Sequence, residues 1–437
     1  MAPQTALPQT APSQTAPSQT AAPETTLDVA FCRRFFPALA GDWVFMENAG
    51  GTFVPEQVIE RTIHFMATCQ TQPGAAYPAS AGASERIDAG RQVLARLINA
   101  DIDEIVVGPS TTSNVYVLSH ALRAILEPGD EIIVTNQDHE ANNGAWRRLA
   151  EIGVVVKEWR MNGDTDDLEI EDLEALLTQR TRLVCFNHCS NIVGLVHDVK
   201  AIVRKVHEAG ALACIDGVAY APHRRIDVKD LDADFYLYSA YKVYGPHVSV
   251  LYGKRELLLR AANQNHYFVP EDDFQRKLCP GGLNYELTAS AAGVGEYLDK
   301  VHAHHFPGAN VPGANIGVAE RWHRVFGLFA AHEETMIRPI ADFLASKSDV
   351  RLIGQGVAGR RERVSIFSFL VNGRDSREIP ERLLQNKIAI RAEDFYAARC
   401  SDALGAGPRG GVVRVSLVHY NSLEDVNRLT ESLDPVI

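Results

Sequence analysis

From Leu27 onward the chain alternates short apolar runs, rich in β-branched residues, with longer segments of helical periodicity. The apolar runs are "EIVVG" (104–108), "EIIVT" (131–135), "GVVVKEW" (153–159), "TRLVCFN" (181–187), "ALACID" (211–216), "ADFYLYS" (233–239) and "VSVLYG" (248–253). Continuous apolar runs of this length, bounded by polar turns, read as strands buried on both faces. Helical segments such as 113–126, 168–178 and 198–209 lie between most of them. Strands alternating with helices predict an α/β fold, a mostly parallel seven-stranded sheet with helices on both sides. Ligands in such sheets bind beyond the carboxyl ends of the strands.

A helical stretch over 315–347 leads into a second region. It holds "RVSIFSFLV" (363–371), a helix over 377–386, "IAIR" (388–391), "VVRVSLV" (412–418) and a helix over 422–433, and it reads as a smaller α+β domain. Its loop 393–411, rich in Gly and Ala, is expected to be mobile or site-forming. Residues 1–25 repeat PQT and PSQT units, with no large aliphatic beyond Leu7 and no charge before Glu24. Such a segment cannot bury a core and is predicted to be a disordered tail, and it lacks the basic and apolar regions of a signal peptide. The expected division is a tail over 1–25, a large domain over 26–310 whose first segment touches the small domain, and the small domain over 311–437.

Charge and cysteine usage narrow the function. Of 437 residues, 43 are Lys or Arg and 55 Asp or Glu, giving a formal charge of −12. That argues against a general nucleic-acid or anionic-membrane binder, which needs a basic surface. Seven cysteines, with no C-x-x-C pair, argue against a disulfide scaffold or a zinc site and for a reduced, cytoplasmic setting. No apolar run is long enough for a membrane span.

The polar residues after the strands carry the chemistry. Thr111 and Thr112 in "GPSTTSN" stand at a helix start, which suits either a phosphate or a plain cap. His139 in "NQDHEANNGAW" could stack on a flat ligand or move protons, or merely cap a turn. His188 and Asn191 follow the next strand in "HCSNIVG". Asp216 ends an apolar strand, a costly place for a carboxylate without a cation or metal, and no surrounding residues have metal-ligand spacing. Lys242 follows 26 residues on, at the end of the next strand in "SAYKVYGPH". A buried anion, a lysine able to form a Schiff base, a ring stacker and an anion cradle on successive strand ends fit one ligand, pyridoxal 5′-phosphate.

With these residues the sequence resembles the fold-type I pyridoxal phosphate enzymes of the class V aminotransferase superfamily, in the cysteine desulfurase-like branch. The motifs are "FMENAGGTFVP" (45–55), "STTSN", "DHEAN", "CSNIVG", "DGVAYAPH", "FYLYSAYKVYGPH", "GGLNYE" (281–286) and "GGVVRVSLVHYNSLEDV" (410–426). The resemblance implies that Lys242 holds the internal aldimine, Asp216 pairs with the pyridinium nitrogen, His139 stacks on the ring and Asn191 contacts its phenolic oxygen. It implies a phosphate held by Thr111, Thr112, Ser239 and Tyr241. It further implies a substrate α-carboxylate received by Arg414, with Asn48 in the substrate site, and a homodimer acting on an amino acid; no metal is expected.

Three departures bear on the reaction. The glutamine that desulfurases carry three residues after the aspartate is Ala219 here, and the threonine lent by the neighbouring subunit is Gly282. The desulfurase cysteine, five residues after an arginine, is Tyr396 after Arg391 in "RAEDFYAARC", with Cys400 four residues on. The expectation is therefore a lyase, eliminating a group from Cβ of a cysteine-derived or other β-substituted amino acid, with Tyr396 as a candidate acid. An aminotransferase or epimerase is the alternative, a cysteine desulfurase using Cys400 the third, and a non-catalytic binding protein of the same fold the reading from another class.

Overall fold

In the six strands of the large sheet other than the edge strand 155–159, alternate side chains leave for opposite faces and both sets are largely apolar. Val106, Ile132, Leu183, Cys214, Leu237 and Leu251 enter one core with Val115, Leu118 and Trp146. Their neighbours Val107, Ile133, Val184, Ile215, Tyr236 and Val250 enter the other with Val199, Val203, Leu298 and Phe326. Two-sided burial of this kind requires helices on both faces. The computed structural model describes residues 25–307, 316–354 and 362–437. The tail expected over 1–25 lies almost wholly outside the described residues, and the expected boundary at 310/311 lies outside them too.

In chain order the strands are β1 (Val44–Phe45), β2 (Ile105–Gly108), β3 (Glu131–Thr135), β4 (Val155–Trp159), β5 (Thr181–Asn187), β6 (Leu212–Asp216), β7 (Phe235–Ser239) and β8 (Ser249–Gly253). There follow β9 (Val350–Leu352), β10 (Ile366–Val371), β11 (Ile388–Ala389), β12 (Arg391–Glu393) and β13 (Val412–Ser416). The seven-stranded sheet has the order β2-β8-β7-β6-β5-β3-β4. Strands β4, β3, β5, β6 and β7 pair in parallel, whereas β8 runs antiparallel to both of its neighbours, β7 and β2. The carboxyl ends of β2, β3, β5, β6 and β7 therefore share one edge, and the first residue of β8 joins them there. Each strand expected in this region is present, with ends trimmed by up to two residues.

The smaller sheet, β12-β13-β10-β9, is antiparallel. One expectation is corrected there. "IAIR" is not one strand: β11 pairs in parallel with β1, while β12, starting at Arg391, pairs with β13. The N-terminal segment supplies a second set of backbone partners, with Val44 and Met46 donating to Lys387 and Ala389 carbonyls, so the chain changes sheets at Ile390. The loop 393–411, expected to be mobile or site-forming, lines a cleft through Glu393, Phe395 and Tyr396. It contains the helix Ala398–Ala403, which buries Cys400 and Ser401. Among the described residues no helix is long and apolar enough to cross a membrane.

The long helix Val318–Ala345 ties the two sheets together. Its Glu333 is fully buried and accepts hydrogen bonds from Ser365 at 2.6 Å and from His223 at 2.9 Å, with Arg224 at 3.5 Å. A charge taken from water is tolerable only with such partners, and removing one side of a buried pair strands the other. We predict that Glu333→Ala lowers stability by about 3 kcal/mol or more in denaturant unfolding. Glu333→Gln, which keeps the side-chain oxygen as an acceptor, should cost less.

Candidate active site

At the shared strand edge, β2 ends at Gly108 and Ser110 caps the helix Thr111–Leu122, its hydroxyl accepting from Ser113 N–H at 3.1 Å. Thr111 and Thr112 are thus the first helical residues rather than residues preceding the helix, and their N–H groups have no acceptor inside it. The Thr111 hydroxyl lies 2.8 Å from that of Ser239 and 3.0 Å from that of Ser249, which are themselves 2.7 Å apart. This hydroxyl triangle joins the helix start to the end of β7 and the start of β8. Ser110, Thr111, Thr112, Ser239 and Tyr241 line a cavity whose walls also include His139, Asn187, Asn191, Asp216 and Lys242. The Tyr241 ring stacks on His247, centroids 4.8 Å apart.

Burial decides the ionisation of the central groups. Lys242 is buried, and this desolvation, aided by Arg414 and opposed by Asp216 and Glu47, pushes its ammonium down to about 8. Burial raises Asp216 to about 6 against the Val218 N–H, which donates to it at 2.9 Å, and against Lys242. Burial likewise lowers His139 to about 3, with Lys242 and Arg414 adding to the effect, so its imidazole is neutral. Its Nδ1 accepts from the Ala141 N–H at 3.0 Å.

A second, more open cleft adjoins the cavity and shares Thr112, His139, Asn191, Tyr241 and Lys242 with it. Its outer wall holds Glu47, Arg391, Glu393, Phe395, Tyr396 and Arg414. Phe395 and Tyr396 both adopt left-handed backbone, φ 50° and 58°, an uncommon choice for aromatic residues that local contacts must hold. Asn191 Nδ2 donates to the Phe395 carbonyl at 3.1 Å, and the Glu140 N–H donates to the Tyr396 carbonyl at 2.7 Å. The Tyr396 ring, 73% exposed, stacks near His139 at 5.6 Å between centroids. Arg414 is buried on β13 with its guanidinium 3.5 Å from the Phe395 ring centroid. It donates to the Asn191 carbonyl at 3.1 Å and to Glu47 Oε1 at 3.2 Å, while its Nε has no partner.

The structure thus gathers Lys242, Asp216, His139, Asn191, Thr111, Thr112, Ser239, Tyr241, Arg414 and Tyr396 around these two spaces. Asn48 is corrected: it lines neither. Its amide donates to the Ser416 carbonyl at 2.9 Å and to Asn421 at 3.2 Å, and its oxygen accepts from Tyr420, so the side chain fastens β1 to the C-terminal segment. Asn191 lines both spaces while its Nδ2 donates to the Phe395 carbonyl. His188 is buried against Tyr220 and Tyr236, outside both spaces. Cys400 is fully buried, outside the cleft lining, and burial holds its thiol far above the ordinary range.

Sequence reasoning missed Ser249, Glu47, Arg391 and Phe395. The short connection from β7 to β8 could have signalled an antiparallel return, and hence Ser249 at the strand edge. Glu47 stood inside a quoted motif, but only the fold brings it to Arg414.

The residues fit pyridoxal phosphate. The cavity offers a lysine whose amine is partly neutral near pH 8, a buried carboxylate for a ring nitrogen and a neutral ring for stacking. It also offers a hydroxyl-lined helix start for a phosphate. Asn187, a residue of the same wall, has a buried Oδ1 without a hydrogen-bond partner.

The comparisons agree. The sequence model described as "Aminotransferase class-V" matches residues 44–266 and 318–429. The chain is similar to an aminotransferase-like protein, FGM3, of Gibberella zeae, 37% identical over 93% of this chain and 97% of the relative. It is also similar to a cysteine desulfurase-like protein, ustD, of Aspergillus flavus, 34% identical over 95% and 92%. The solved structure of the cysteine desulfurase CsdA of Escherichia coli superposes with a TM-score of 0.77 at 26% identity, covering 94% of this chain and 98% of that one. The chain belongs to the class-V aminotransferase family of pyridoxal phosphate-dependent enzymes.

Proposed function

We propose that the protein is a pyridoxal phosphate-dependent lyase that removes a leaving group from Cβ of an α-amino acid, a cysteine-derived one foremost. The observation that carries this reading is the outer wall of the cleft: a tyrosine, Tyr396, stands there, and Cys400 is sealed in a helix behind it. A desulfurase nucleophile must be an accessible thiolate, which Cys400 is not. The desulfurase-like name of the Aspergillus flavus relative supports a cysteine-related substrate.

When bound, the cofactor supplies a sink for the electron pair left at the substrate's Cα. The side chains have separate tasks. Arg414 takes the α-carboxylate with donors that include its unpartnered Nε. Lys242 Nζ, depressed by burial, takes the proton from Cα near neutral pH. Asp216 keeps a proton on the ring nitrogen, and neutral His139 covers the ring without competing charge. The helix start at Thr111 and Thr112, with Ser239 and Tyr241, holds the phosphate. Tyr396, at the open side, donates its hydroxyl proton to the leaving group. A homodimer belongs to this reading, supported by an exposed apolar stripe, Ile59, Ile63 and Met66, on the helix Glu56–Thr68.

Three outcomes are expected. Mixing the holoenzyme with β-substituted amino acids should yield pyruvate and ammonia together; keto acid without ammonia would mean transamination and overturn the lyase reading. Lys242→Ala should lower turnover by about 10²–10⁴-fold, and Tyr396→Phe should lower it most for poor leaving groups, while Cys400→Ala leaves it unchanged. The depressed Lys242 sets a pH dependence for capture of the cofactor by the cofactor-free protein, which needs the neutral amine. At pH 7 roughly a tenth of the amine is neutral if it titrates near 8, against about three parts in ten thousand near 10.5. The rate, followed by absorbance, should therefore rise with pH and level off above about 8; a rise continuing toward 10.5 would contradict the assignment.

A further inference from the structure

Arg414 is already engaged by a carboxylate of the protein itself. Glu47 Oε1 lies 3.2 Å from its Nη2, with Glu47 only 16% exposed and Arg414 2%. The approach depends on Gly50: a Cβ there would fall 2.2 Å from Glu47 Oε1, so the missing side chain makes room for the carboxylate. Glu47 also stands 4.0 Å from Arg391, which pairs with Glu393 at 2.8 Å. Two carboxylates and two guanidiniums on one cleft wall balance each other before any substrate enters.

An α-carboxylate on Arg414 upsets that balance. It competes with Glu47 for the same guanidinium and leaves the wall with one negative charge in excess. A neutral side chain cannot repair this, and an anionic one worsens it. The neighbouring His139 is uncharged, Lys242 is committed to the cofactor, and Arg391, 4.0 Å from Glu47, is already paired with Glu393 at 2.8 Å. The imbalance is removed by a positive charge carried on the substrate.

We propose that Glu47 selects the substrate's side chain, and that the cleft takes an α-amino acid bearing a side-chain ammonium or guanidinium, which Glu47 receives once the substrate's carboxylate has replaced it on Arg414. Glu393 supports it from the next position along the wall. The inference rests on Arg414 as the carboxylate receiver of the proposed function.

The test titrates the holoenzyme with amino acids and follows the cofactor's absorbance, which reports binding whatever reaction follows. Diaminobutyrate, ornithine, lysine and arginine are compared with norvaline, norleucine, citrulline, aspartate and glutamate. At least one cationic amino acid should bind about tenfold or more tighter than its neutral counterpart, with the acidic pair weakest. Glu47→Gln should bring the cation-to-neutral ratio close to one, and Gly50→Ala, which crowds the Glu47 carboxylate, should lower it too. Glu393→Gln should lower it less. The proposal is overturned if no cation outbinds its neutral counterpart, if aspartate or glutamate binds tightest, or if Glu47→Gln leaves the ratio unchanged. If no amino acid of any charge perturbs the absorbance, the proposed function itself fails and this inference with it. The wild-type panel decides even if a variant does not fold.

Discussion

Burial of the large sheet on both faces is the constraint on which the rest of the protein depends. Because both sets of side chains in the central strands are largely apolar, their buried middles hold few polar residues and the polar groups collect at their ends. The strand order brings the carboxyl ends of six strands to one edge. Lys242, Asp216, His139, Asn191 and Thr111 meet there as a consequence of topology, although up to 131 residues separate them in the chain.

The same burial sets their chemistry. Desolvation is the largest influence on Lys242, Asp216, His139 and Arg414 alike. It disfavours the charged form of each, whatever its sign, and so draws an amine and a carboxylate toward each other's titration range. A lysine near 8 and a carboxylate near 6 are suited to exchanging protons under physiological conditions, which neither would be at the surface.

The outer cleft has another origin. It is assembled from segments far apart in sequence: Glu47 beside β1, Asn191 after β5, Arg391 and Glu393 on β12, Phe395 and Tyr396 in strained backbone, and Arg414 on β13. The pairing of β1 with β11 and the side chain of Asn48 hold the N-terminal segment against the C-terminal region, which places Glu47 beside Arg414. Asn191 bridges the two regions, its amide on Phe395 and its carbonyl on Arg414. The make-up of this wall is therefore coupled to the relative placement of the two sheets, which Glu333 also ties through His223 and Ser365.

The alternation of apolar runs and helical periods carried enough information to predict the α/β fold, its seven strands and the groups at their ends, because local hydrophobic pattern and strand direction are sequence properties. That Asp216 and Lys242 would face one cavity was legible for the same reason: a carboxylate and an amine at the ends of buried strands are costly without a shared ligand. Sequence could not show that Asn48 would be spent on fastening β1, that "IAIR" would split between two sheets, or that Cys400 would be enclosed. Each depends on which distant backbone or side chain is available to satisfy a polar group or cover an apolar one. Nor could it place Glu47 against Arg414, since an ion pair between positions 47 and 414 exists only where tertiary packing brings two otherwise unrelated segments within a few ångströms.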